Sequence, residues 1–138
     1  MPDASLPRQD TAEGLIRAAD DAASPGQGAM RTAISNAIVG LLKRYWGRGP
    51  TGAKTYLCDD YVFVALEGGI MRNEETLLAA GREELVREYR LAFQEAVRET
   101  LVSAVEEIVG RRVIGYHSQI IFEPPRAFEI LVLEPQES

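Results

Sequence analysis

The sequence predicts an α+β fold in the order helix, β-hairpin, long helix, β-hairpin, with the helices packed on one face of an antiparallel sheet. Three observations lead there. A 3.6-residue apolar repeat runs from Arg82 to about Val109. Paired runs with period-two alternation flank it, at 54–67 and 112–134. Turn-forming residues, Asp59-Asp60 and Pro124-Pro125, divide each of those runs in two.

In chain order, residues 1–27 carry Pro2, Pro7, Pro25, several alanines and scattered charge. Thr11–Asp21 has the makings of a weak helix, but too little apolar content for a core, so 1–27 is expected to be a mobile tail whose removal leaves the fold intact. Residues 28–134 then form the single domain. A helix is predicted from Ala29 to Trp46, with Met30, Ile34, Ile38, Leu41, Leu42 and Tyr45 on one face. Lys43 and Arg44 suit its negative end, and Gly47 stops it.

Strands follow at Lys54–Asp59 and Tyr61–Glu67, closed by Gly68-Gly69. Asn73 is positioned to cap a short helix, Glu74–Ala80. In the long helix, Val86, Tyr89, Phe93, Val97, Leu101, Ala104 and Ile108 make the apolar face. Glu83, Arg87, Arg90, Glu95, Arg98 and Glu106 make the charged one, and Gly110 is a left-handed stop. Such a helix is roughly 40 Å long, more than a two-hairpin sheet needs, so either its ends overhang or a second copy covers them, which hints at a dimer.

The last strands are Arg112–Phe122 and Ala127–Glu134, before a frayed tail at 135–138. Alternation sets Ile114, Tyr116, Ile120 and Phe122 on one side of the first, and Val113, Gly115, His117, Gln119 and Ile121 on the other. In the second, Phe128, Ile130 and Val132 share one face and Leu131 and Leu133 the opposite one. Two apolar faces are unusual where one side of a sheet meets water. His117, Gln119, Leu131 and Leu133 are therefore the candidates for an interface, and a homodimer is expected.

The 138 residues fit one modest core, and 46% hydrophobic with 26% charged residues is ordinary for a soluble chain. Of the formal charge of −6, residues 1–27 contribute half, leaving a mildly acidic body. That argues against nucleic acid as a partner and against docking on anionic lipid. No apolar run reaches the roughly 20 residues that span a bilayer, so no direct membrane insertion is expected. The start lacks a basic and apolar leader, and the cytoplasm is the expected location. A single cysteine, Cys58, and a single histidine, His117, can form neither an internal disulfide nor a structural zinc site. No metal or other cofactor is expected.

Gly47-Arg48-Gly49-Pro50-Thr51-Gly52-Ala53-Lys54-Thr55 looks like a phosphate loop but is not one. Ala53 separates the second glycine from the lysine, and a helix enters the loop where a strand should. A softer reading remains, in which Lys43, Arg44, Arg48 and Lys54 hold a small anion. The alternative is a helix end with cations that compensate its dipole. Cys58 is read as a small buried hydrophobe. Ser118, beside His117, points to the other face of the strand, so the two form no evident dyad. No catalytic residue is assigned, and no enzyme activity is expected.

Three stretches in this order are familiar: Gly47-Arg48-Gly49-Pro50, then Glu74-Glu75-Thr76-Leu77-Leu78 with Glu88-Tyr89-Arg90, then Val113-Ile114-Gly115-Tyr116-His117-Ser118-Gln119-Ile120. Together they resemble the small bacterial MpsC family, named for a sodium-translocating membrane-potential-generating system. The resemblance spans about Met30 to Glu134. It departs at Gln119, where an aspartate is common, and at Ile70-Met71-Arg72, where Leu-Thr-Pro often begins the short helix. It implies an accessory role beside a membrane complex that moves cations or inorganic carbon, through protein contacts. The other reading is a small-anion sensor built on the basic loop.

Overall fold

A computed structural model describes residues 25–136. Its elements are α1 (Pro25–Trp46), β1 (Gly52–Cys58), β2 (Tyr61–Glu67), α2 (Arg72–Ala79), α3 (Glu83–Val109), β3 (Val113–Phe122) and β4 (Pro125–Leu133). The fold is the α+β arrangement expected. Helix α1 begins at Pro25, four residues before the predicted start, because proline is suited to a helix's first turn. The proposed tail therefore loses its last residues to α1, while its weak helix at Thr11–Asp21 lies outside the described residues.

The four strands form one antiparallel sheet in the order β1-β2-β4-β3, so both hairpins join within one chain. Asp59 turns the first hairpin at φ 52°, a left-handed conformation that aspartate tolerates better than most residues. Helices α1 and α3 lie on one face of the sheet. Ile34 and Ile38 from α1, and Leu101 and Val105 from α3, close over Val62, Val64, Leu66, Ile120 and Leu131. Gly110, at φ 70°, ends α3 and donates its N–H to the Glu106 carbonyl, as predicted.

Register corrects the facing of the last hairpin. Val62 pairs with Leu131 and Val64 with Glu129, so these four point to the helices. Leu131 and Leu133 are 0% and 3% exposed, in the core and not on an outer interface. Alternation could not decide this, because the inward set contains Glu129 and the outward set, Phe128, Ile130 and Val132, is the more apolar. A register shift between Val113 and Gly115 then sends Val113 inward, opposite Leu133, and leaves Ile114 exposed. Cys58, read as buried, faces outward and is exposed.

Part of the N-terminal half of the long helix is covered from within the chain. Val86 is buried, and Trp46 at the end of α1 packs edge-on against Phe93, with ring centroids 4.5 Å apart. Helix α2 closes the same end. Its cap is Met71 rather than Asn73: the Met71 backbone N–H donates to Glu74 Oε1 at 2.8 Å.

Candidate functional site

Three places in this fold hold chemistry. The first is a cleft between the loop after α1 and the first half of α3. Trp46 reaches it from the end of α1, Arg48 from the loop, Gly68 and Gly69 from the end of β2, and Arg90, Phe93 and Gln94 from α3. Gly68 and Gly69 both have positive φ, 72° and 81°, which lets the strand end fold back against residues 49–51.

Arg90, read from sequence as part of a solvated face, is instead built into the wall. Its Nε and Nη2 grip the two Glu74 carboxylate oxygens at 2.7 Å each, and Nη2 also donates to the Gly69 carbonyl at 2.9 Å. The guanidinium lies over the Trp46 ring at 5.1 Å. This paired geometry fixes Arg90 and ties α2 to α3.

The second place is a buried carboxyl group under the sheet. Glu129 is fully buried, accepts a hydrogen bond from Tyr116 and accepts another from Ser118 Oγ at 3.0 Å. Burial pushes its carboxyl up to about 7, against the downward pull of those two hydroxyls. Burial and the adjacent Glu129 push the Tyr116 phenol up as well. Tyr116 Oη is also 3.4 Å from Gln94 Oε1. In the protonated state Glu129 donates to Tyr116 and Tyr116 to Gln94, so each group keeps a partner. A carboxyl with no solvent exposure meets no substrate; its chemistry is internal.

The third is the sheet face turned away from the helices. Tyr56, Phe63 and Phe128 stack across β1, β2 and β4, with successive ring centroids 6.1 and 5.6 Å apart. Ile130, between Phe63 and His117 in the register, and Val132 extend the patch, and no described element covers it. His117 and Gln119 sit at its β3 side, exposed.

The anion candidates do not gather. Arg48 lines the cleft, whereas Lys54 borders another groove with Arg31 and lies over Tyr56 at 5.5 Å. Lys43 is exposed on α1, and exposed Arg44 lies over Tyr45. The interface candidates divide as well: His117 and Gln119 are on the outer face, Leu131 and Leu133 in the core. Sequence reading missed Trp46, Glu74, Arg90 and Glu129. Only a glutamate at the start of a helix and another within an alternating strand marked any of them. Among the described residues no cluster of His, Cys, Asp and Glu is placed to hold a metal ion.

A family model described as Na+-translocating membrane potential-generating system (MpsC) matches residues 26–135. No curated protein matches the chain, and no solved structure does.

Proposed function

The chain belongs to the MpsC family, and from that premise we propose a non-catalytic accessory or regulatory protein of a bacterial sodium-translocating, membrane-potential-generating system. It works in the cytoplasm, as a homodimer, by binding protein. The outer sheet face carries this reading. An aromatic and aliphatic patch on a four-stranded sheet, with the described helices on the other side, is the kind of surface that another protein covers.

A second copy is the occupant that fits. Lys54 and Arg126, with Glu67, border one end of the face, while Asp59, Glu134 and Asp60, the last paired with Arg111 at 2.6 Å, border the other. A twofold axis across the strands lays each basic end over the partner's acidic end and stacks the two patches. Among the described residues no helix is long and apolar enough to cross a membrane. This supports contact with the membrane complex through protein surfaces.

The test joins mass to function. Light scattering of the full chain at micromolar concentration should give twice the 15.2 kDa chain mass, and Ile130→Glu should halve it. In cells lacking the protein, sodium-dependent membrane potential should fall, recover with the wild type and recover less with Ile130→Glu. A monomeric wild type, or full rescue by a monomeric variant, defeats the proposal.

A further inference from the structure

The cleft beside Trp46 stands apart from the outer sheet face and has its own chemistry. Its floor is apolar, formed by Leu42, Leu66 and Phe93, and its polar side is Arg48, Arg90, Gln94 and Trp46. Donors there lack acceptors among the described residues. Arg48 is exposed and makes no hydrogen bond or ion pair. Arg90 commits Nε and Nη2 to Glu74 and Gly69, which leaves Nη1. Trp46 Nε1 is buried with no partner, a costly state for a strong donor.

Charge and size narrow the ligand. Two guanidiniums against the one carboxylate of Glu74 leave a single positive charge, which matches a monoanion. A dianion such as phosphate would lose its water against Leu42, Leu66 and Phe93 with half its charge uncompensated. The cavity volume of about 40 Å³ admits roughly three water-sized groups. The apolar floor calls for hydrocarbon behind the charged head.

We propose that this cleft binds a carboxylate carried on a small apolar group, the carboxylate filling the enclosed volume and the carbons behind it continuing into the open part of the cleft. The carboxylate meets Arg48 and the free amino group of Arg90, and the hydrocarbon rests on Leu42, Leu66 and Phe93. Glu74 has a positioning role: it holds Arg90 in place and cancels the charge that would otherwise attract dianions. A free short-chain acid and the C-terminus of a peptide present the same chemistry.

Trp46 is the chain's one tryptophan, 5.1 Å from the Arg90 guanidinium, so its fluorescence reports on the cleft. The full chain is titrated with sodium propionate, with N-acetyl-alanyl-alanine, and with phosphate and chloride at matched ionic strength. A saturable change with propionate or the peptide is expected, and little with phosphate. Arg48→Ala, at an exposed position, should leave the melting temperature in place and weaken binding about tenfold or more; Arg48→Lys should recover part of it. Tighter binding of propionate assigns the carboxylate to a free acid, and tighter binding of the peptide to a chain end. No saturable response to either, phosphate binding as tightly, or an unchanged affinity in Arg48→Ala would overturn the site.

Discussion

Glu129 occupies the inward side of a central strand, where its burial and its neighbours on β2 and β3 decide how the fold answers to pH. Its ordinary value is 4.5, and in the folded chain it stands at about 7. Below the lower value the group is protonated in both states and opposes nothing. Between the two, the unfolded chain has released a proton that the folded chain keeps, so stability falls as pH rises. Above the higher value the deficit is complete, on the order of 3 kcal/mol. Glu129→Gln keeps an acceptor for Tyr116 and removes the titration. Urea midpoints at pH 5 and pH 8 should show the variant gaining on the wild type as pH rises. A difference that stays constant between the two pH values would dismiss this account. The sequence offered no access to it: a glutamate between Phe128 and Ile130 reads as the polar residue of a half-exposed strand. Only its pairing with Val64 turns it inward.

Among the elements, α2 depends most on one side chain. Glu74 accepts from the Met71 N–H and from Arg90 together, so it both starts α2 and fastens it to α3. Glu74→Ala leaves the Arg90 guanidinium nearly buried beside Trp46 without a counter-charge. The expected loss is about 3–5 kcal/mol by chemical denaturation. Replacing both partners with apolar residues should return much of it, and a double mutant as unstable as Glu74→Ala would contradict the pairing. The end of β2 is nearly as constrained. A Cβ at Gly68 would lie 2.5 Å from Thr51 Oγ1 at a φ of 72°, and Gly68→Ala should cost about 1–3 kcal/mol. Element types and most boundaries were legible, since the long 3.6-residue repeat of α3 and the Asp59-Asp60 and Gly110 stops are local signals. The Glu74–Arg90 pair was not, because 16 positions separate its members and no periodicity links them.

For the molecule as a whole, the open matter is a sheet that is apolar on both sides. The helices take the side with Val62, Val64, Leu131 and Leu133, which leaves Phe63, Phe128, Ile130 and Val132 outside. Both sets alternate at the same period, so sequence shows two apolar faces but not which one is covered. If a second copy covers the outer face, folding and association are linked by mass action. The melting temperature then depends on protein concentration, which it does not for a monomer. Each tenfold dilution removes about 1.4 kcal/mol per dimer, and for two chains of this length that lowers the midpoint by about 2 °C. Ile130→Glu places a charge at the centre of the patch while leaving the inward face untouched. It should melt at one temperature across the same range of concentration and match the wild type extrapolated to high dilution. A wild-type midpoint that stays fixed over a hundredfold dilution would mean that no second copy closes this face.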